Sequence, residues 1–485
     1  MLFYQPEDRN QNWLYNSLDE MVEPTNPVRL LDLFIDKIVH DNPDDFIRYK
    51  DSNFGAPAYM ASTFLKLYIY GCINSINTSR KLENECKRNI ELKWLLGNLQ
   101  PAYWVISQFR THHKDMIEKV WKQFRKFLRS HEYIDLKTVA IDGTKLKANA
   151  KKEMLTIDGL KRMIASTDKQ LEEYLEQLKL NDKSDDILEE YETISDSDNI
   201  QKHLIDKIAQ LEEKIEKLTN YKTKMELAGL TRLSPTDEEA KLMRSRYGLI
   251  PALNGQFAVD SKNKMIADFL LTDDEADTHQ AKPMIESINE AYDELPDEGL
   301  TDKGYYCPDD IESIEELGVD MYVSVPSEPK DESGISFRYD LEKQIYICSQ
   351  GKELHLVQRN KKKRSSLVDI YQGTGCEGCP LREKCTKSEK GRIIHRHNNQ
   401  EYRDNYKEKM RTPTGKIKMH LRKCLVEHPF GTIKSWMGKI QLLLRGIEKG
   451  STEVCLWVTS YNWRRLVNIE NFDVLKEKIA SYCFA

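Results

Sequence analysis

Along the first 135 residues apolar positions recur at three- and four-residue spacing, a pattern that predicts a set of packed helices. NPVRLLDLFIDKIV, AYMASTFLKLYIYGCIN and KDMIEKVWKQFRKFLRSH carry it most plainly. SRKLENECKRNIELKWLLG and PAYWVISQFRTHHK read as shorter helices, with Pro101 at a helix start. TFLKLYIYGCI is the longest apolar region and predicts a buried helix. TVAIDGT then reads as a strand ending at Asp142. Two near-heptad stripes follow: Leu160, Ile164, Thr167, Leu171, Tyr174 and Leu178, then Leu204, Ile208, Leu211, Ile215 and Leu218. An acidic, Ser/Asp-rich stretch separates them, so they predict an antiparallel helical hairpin, a coiled-coil arm suited to protein contact.

Beyond the arm the period changes again. GLIPALNGQFAVDSKNKMIADFLLT predicts a β-hairpin, with Gln256 to Val259 leading to a turn at Asp260–Asn263 and Met265 to Leu271 returning. QAKPMIESINEAYDEL reads as a helix, GLTDKGYY as a strand and turn, PDDIESIEELG as a helix and DMYVSVP as a strand. KCLVEHPFGTIKSWMGK and STEVCLWVTSYNWRRLVNIENF read as final helices. The order predicts an α/β protein, a mixed sheet with helices packed on it. Its expected divisions are an all-helical unit over 1–135, a core from 136–150 and 231–326, the helical-hairpin insertion over 151–230, a small cysteine-bearing insertion over 327–410, and core helices over 411–485.

Composition narrows the setting. A chain of 485 residues predicts two to four domains. With 39% hydrophobic and 31% charged residues it reads as soluble and globular. No uncharged apolar stretch reaches 18 residues, so no membrane span is expected. MLFYQPEDRNQ has no signal-peptide pattern, and a cytoplasmic protein is the expectation. The net charge of −6 hides an uneven distribution. Asp182 to Asp198 and Asp273 to Glu342 are acidic, whereas Lys361 to Arg445 (KKKRSS, REKCTKSEKGR, RDNYKEKMRTPTGKIKMHLRK) is basic and predicts a basic surface. Cys72, Cys86, Cys307, Cys424, Cys455 and Cys483 are scattered, as free buried thiols would be.

Three carboxylates share one local setting. Asp142 and Asp302 each end a short apolar run beside Gly or Lys, and Glu427 opens EHPFGTIKSWMG, with Lys434 seven residues on. A carboxylate at a strand tip is poorly placed for packing and well placed to hold a divalent cation. Two Mg²⁺ or Mn²⁺ ions about 4 Å apart need several hard oxygen ligands, and three such acids would suit metal-dependent phosphoryl transfer. Asp237 and Asp260 compete for the role, but Asp260 reads as a turn residue and Asp237 as a helix cap or first residue. Glu427 and Lys434, about two helical turns apart, would share a helix face, and Lys434 could then pair with a DNA phosphate. Lys145, Lys147, Lys303, Tyr305, Trp436 and Arg445 are further candidates for holding DNA.

The remaining cysteines form a second constellation. Cys376 and Cys379 form CEGC, a turn able to place two thiolates on one Zn²⁺, and Cys348 and Cys385 would complete a structural four-cysteine site. His395 or His397 could replace one of them. The region is poor in apolar residues, so a metal would help it fold. No GxGxxG or GxxxxGK[ST] loop and no GxSxG elbow occurs, so no nucleotide cofactor is implied.

VAIDGTKLKANA, SPTDEEAKLMRSRYGLIPALNGQFAVDSKN, LTDKGYY and VEHPFGTIKSWMG, in this order, resemble the DDE transposases of bacterial insertion sequences, in the branch with a helical N-terminal domain and a cysteine-bearing insertion before the final Glu. The likeness runs from about Pro24 to Asn468. It implies a ribonuclease H-like catalytic core, with the family's acids at Asp142, Asp302 and Glu427 and its Lys at Lys434. It also implies DNA contact by the N-terminal helices, recognition of terminal inverted repeats, and a homodimer on double-stranded DNA in the cytoplasm, at the nucleoid. Tyr461, Asn462, Trp463, Arg464 and Arg465 are similar to a family signature, YNxxR, and equally fit a core helix with basic outer positions. Related transposases often carry Tyr and Arg seven and four residues before the Glu; here His420 and Lys423 stand there, and Lys423 keeps the cation. Two rival readings are a metal-dependent nuclease or domesticated transposase that cuts without joining, and a non-catalytic, zinc-stabilised DNA-binding protein.

Overall fold

The computed structural model describes residues 17–47, 57–188, 197–245, 248–326, 335–363, 366–438 and 441–484. MLFYQPEDRNQ, most of the polar stretch between the arm helices and part of KKKRSS lie outside them.

Six helices open the chain: α1 (Pro27–Asp41), α2 (Ala61–Ile73), α3 (Ser79–Arg88), α4 (Ile90–Leu95), α5 (Tyr103–His112) and α6 (Lys114–Ser130). The Asn26 side chain accepts the Val28 N–H and Pro27 follows it, which starts α1 where the sequence marks a helix start. As its composition predicts, α2 is buried on every side from Ala61 to Cys72. Its Lys66 is tolerated there because two carboxylates meet the amine, Asp32 at 2.6 Å and Asp36 at 2.7 Å.

The central sheet begins with β1 (Thr138–Lys147). This strand does not end at Asp142. It continues to Lys147 because a long antiparallel partner supplies hydrogen bonds beyond the acid, pairing Gly143 with Gln256 and Lys147 with Ala252. The arm follows as α7 (Ile157–Leu188) packed against α8 (Ser197–Leu227). Leu160, Leu218, Met225 and Leu233 form a small apolar cluster at its base. Then come β2 (Lys241–Ser245), β3 (Gly248–Asp260) and β4 (Ile266–Thr272), the latter two being the expected hairpin. Asp237 begins no helix. It lies in a turn before β2, buried, and accepts the Gly446 N–H. Helix α9 (Ala281–Tyr292), β5 (Glu298–Thr301), α10 (Pro308–Glu315) and β6 (Asp320–Val323) complete the unit. The strand order is β2-β3-β1-β5-β6 with β4 also on β3; β5 runs parallel to both β1 and β6.

A second sheet was not legible in the sequence. β7 (Phe337–Asp340), β8 (Ile345–Cys348), β9 (Glu353–Lys363), β10 (Ser366–Gly373) and, after the short helix α11 (Arg382–Cys385), β11 (Ile393–His397) form an antiparallel sheet in the order β11-β10-β9-β8-β7. The chain returns through α12 (Gln400–Arg411) and α13 (Pro413–Gly431), passes a π-helical turn at Thr432–Trp436, and ends in α14 (Ile447–Ile469) and α15 (Phe472–Ser481).

The expected basic surface is only partly available. Several of its cations dock α12 and α13 onto the acidic segment: Arg403 meets Asp309 at 2.9 Å, Lys409 meets Glu315 at 2.5 Å and also Asp320, and Lys418 meets Glu298. The helical N-terminal unit has no separate core either. One continuous apolar cluster runs from Val22 through the sheet to Phe484, with α14 packed against both α2 and α6.

Candidate active site

Register explains why two of the acids meet. β1 and β5 are parallel, with Thr138 opposite Glu298 and Ala140 opposite Leu300. The same offset, continued past the end of β5, sets Asp302 level with Asp142. Asp302 caps the short turn Lys303–Tyr305, its Oδ1 accepting the Gly304 N–H at 2.7 Å. Asp142 Oδ1 accepts the Gly143 N–H at 3.0 Å. Each carboxylate is thus oriented by backbone one or two residues away.

A single guanidinium spans the pair. Arg422, on α13, lies 3.2 Å from Asp142 Oδ1 and 3.9 Å from Asp302 Oδ2. Burial pushes the Asp142 carboxyl up to about 6; Arg422 and the Gly143 N–H oppose the rise, while Asp302 and Asp277 add to it. The sequence reading looked for a cation at Lys423. The structure puts Arg422 at the acids, while Lys423 is exposed. One residue along a helix is about 100° of rotation, enough to decide which of two neighbouring cations faces the sheet.

A fourth acid joins the cluster. Asp277, in the loop between β4 and α9, accepts from Asn254 Nδ2 at 2.8 Å and Gln256 Nε2 at 2.9 Å, both from fully buried side chains, and from Lys145 Nζ at 3.4 Å. A Cβ at Gly143 would stand 2.6 Å from Asp277 Oδ1, so glycine is what lets this carboxylate approach β1. Tyr305 donates its hydroxyl to the Gln256 Oε1. The sequence offered no signal for Asp277, one of several acids in the run LTDDEADTHQ.

Glu427 sits on α13, five residues past Arg422 and about 140° around the helix from it. It is exposed and makes no hydrogen bond or ion pair with Asp142 or Asp302. α13 itself packs across β1, β3, β5 and β6. Between Glu427 and Lys434 the chain passes from α13 into the π turn. The Lys434 amine reaches the Thr144 hydroxyl, two residues from Asp142 and on the same side of β1. Asp260 is a structural residue, accepting the backbone N–H groups of Asp135, Leu136 and Lys262.

Cys348 ends β8, Cys376 and Cys379 lie in the loop after β10, and Cys385 ends α11. All four line one cavity of about 30 Å³, together with Leu354 and Arg392; His395 and His397 do not. The thiols have not closed to ligand spacing. Among the described residues, the one group of three such ligand atoms lying within 4.8 Å of one another is His279, Cys307 and Asp310.

Two family models match the chain. One, a transposase DDE domain, covers residues 347–467 and so takes in most of the second sheet, Arg422, Glu427 and α14. The other, a transposase domain (DUF772), covers residues 16–112, most of the opening helices. The two matches, from opposite parts of the chain, support a DDE transposase. No curated protein matches it. Of solved structures, the piggyBac transposase synaptic complex with hairpin DNA is similar at 10% identity and a TM-score of 0.24, covering 94% of this chain and 85% of that one, too remote a likeness to bear on the argument.

The candidate DNA-holding residues divide by exposure. Lys303 and Arg445 are exposed. Lys145 lies at the rim, donating to the Glu275 carbonyl at 2.6 Å. Lys147 is half-buried at the end of β1. Tyr305 is buried at 2% and presents no surface to DNA, because its ring fills the space behind the acids. Trp436 is 55% exposed, with its indole N–H on the Ile73 carbonyl and Arg464 stacked 3.7 Å from the ring centre. The YNxxR segment is structural. Asn462 pairs with both the N–H and the carbonyl of Ile266, like a strand on β4, and Tyr461 and Arg465 bind the carbonyls of Lys264 and Asn263. Among the described residues no helix is long and apolar enough to cross a membrane.

Proposed function

We propose that this transposase cuts and joins DNA at the acids on β1 and β5, with Asp142, Asp302 and Glu427 as the ligands of two divalent ions, Mg²⁺ or Mn²⁺. The observation that carries the reading is the shared guanidinium. Two carboxylates held level, one of them half-buried, already draw a cation between them, and hard oxygen donors of this kind fit Mg²⁺. Strand order supports a ribonuclease H-like core: antiparallel β4-β3-β1, then parallel β5 and β6.

When bound, the ions would activate the attacking oxygen and stabilise the departing one. The chain's own residues do the rest. Gly143 and Gly304 N–H groups fix the two Asp side chains, and Asp277 is fixed in turn by Asn254 and Gln256. Lys434, set beside Thr144, offers a cation to a DNA phosphate next to the acids. A water oxygen attacks the phosphorus at the element end and gives up a proton, the bond to the 3′ oxygen breaks, and that oxygen takes up a proton. The freed 3′-OH then attacks a target phosphorus and expels the target's 3′ oxygen. No bond between protein and DNA forms. The partners are the element's terminal inverted repeats and target DNA. The helices of residues 1–135 contribute to binding, the chains act as a homodimer, and the site of action is the cytoplasmic nucleoid.

A structural Zn²⁺ on Cys348, Cys376, Cys379 and Cys385 belongs to the same proposal, supported by their shared cavity. The test is Asp302→Asn on paired element ends. Binding should persist and Mg²⁺-dependent cleavage should vanish; near wild-type cutting would overturn the assignment.

A further inference from the structure

Another set of metal-type ligands stands beside the acids but apart from them. His279 follows Asp277 by two residues, and Cys307 and Asp310 stand at the start of α10, just after the Asp302 turn. One ligand atom from each lies within 4.8 Å of the other two. His279 Nδ1 is 2.8 Å from Asp310 Oδ2. Cys307 is buried, Asp310 is partly buried, and the His279 side chain is 52% exposed, so the group opens to solvent on the imidazole side. One further observation bears on it: His279 has φ 69°, a left-handed conformation that accumulates at functional turns.

We propose that His279, Cys307 and Asp310 form a zinc site, three protein ligands with water in the fourth position. The mixed nitrogen, sulfur and oxygen set suits zinc, whereas Mg²⁺ would not take the thiol. Tetrahedral bonds of about 2.0–2.3 Å put ligand atoms roughly 3.3–3.8 Å apart, so the His279–Asp310 pair would open slightly. Binding replaces the Cys307 S–H bond with a sulfur–metal bond and releases that proton to solvent. The ion would clamp the loop bearing Asp277 to the segment that follows Asp302. Thr278 already makes one such tie, its hydroxyl donating to the Gly304 carbonyl at 3.1 Å. The site stands whether or not the acids act as proposed.

Zinc content of the full chain tests it, compared with His279→Ala and Cys307→Ser. His279 is half-exposed and its truncation should leave the fold intact. Each variant should lose about one zinc per chain. In a metal-stripped chain carrying Cys376→Ser and Cys379→Ser, Co²⁺ should still give thiolate-to-cobalt absorption, and adding His279→Ala should weaken Co²⁺ binding roughly 10–100-fold. Unchanged zinc content and absorption in both variants would overturn the site, as would a loss confined to Cys307→Ser.

Discussion

The acid cluster and the cysteine sheet both gather metal-type ligands from distant parts of the chain, and they do so by opposite means. Around the acids, packing sets the geometry. Ile141, Phe257 and Leu300 are at most 1% exposed, and strand register alone brings Asp302 level with Asp142. The cysteine sheet has few fully buried side chains, chiefly Leu354 and Val368, and its thiols only surround a small cavity. In the first region a metal would enter a site that the fold has built. In the second a metal would supply cohesion that apolar burial does not.

The sharpest way to break that comparison is Asp302→Asn. A prebuilt site should keep its fold and its DNA binding while cleavage falls at least ~10³-fold, about 4 kcal/mol in barrier; a variant that loses its circular dichroism would show the acids to be structural instead. Zinc chelation or Cys379→Ser comes next. Proteolysis within residues 335–397 should quicken roughly tenfold or more, with the central sheet still resistant, and equal sensitivity of both regions would erase the contrast. Asp142→Asn reads the strain of the prebuilt site. The folded carboxyl titrates near 6 against 3.8 unfolded, so the native acid is most favourable below pH 4 and loses stability as pH rises through 6. The metal-free variant should therefore match wild type in unfolding free energy at pH 4 and exceed it at pH 8 by roughly 2 kcal/mol. Smallest is Arg422→Ala, which removes the cation now between the acids. Calorimetry on the DNA-free chain should find Mn²⁺ binding up to about tenfold tighter, and weaker binding would mean that Arg422 helps to form the site.

Much of the architecture was legible because it rests on periodicity. The buried α2, the arm and the β3–β4 hairpin follow directly from residue spacing, and Asp142 and Asp302 stood out as carboxylates beside short apolar runs. What failed to show depends on contacts between segments. β1 outran Asp142 because its partner was long enough to keep pairing. The choice of Arg422 over Lys423 turned on helix rotation, and the π turn that carries Lys434 has no mark in the residue spacing. The second sheet was hidden because strands such as ELHLVQRNKKK bury little and carry charge. The basic run looked like open surface until Arg403, Lys409 and Lys418 met their acids.

The unbroken apolar core carries a consequence for timing. Phe484 packs edge-on against Phe34 at 5.5 Å between ring centres and stacks on Phe127 at 5.7 Å, so the first helix waits for a partner made 450 residues later. At 5–20 residues per second, translation needs roughly 20–90 s to span that interval. A nascent chain, or one cut short before α15, would hold its acids in a scaffold whose first helix keeps α2 and α6 but lacks the packing that α15 and Phe484 add.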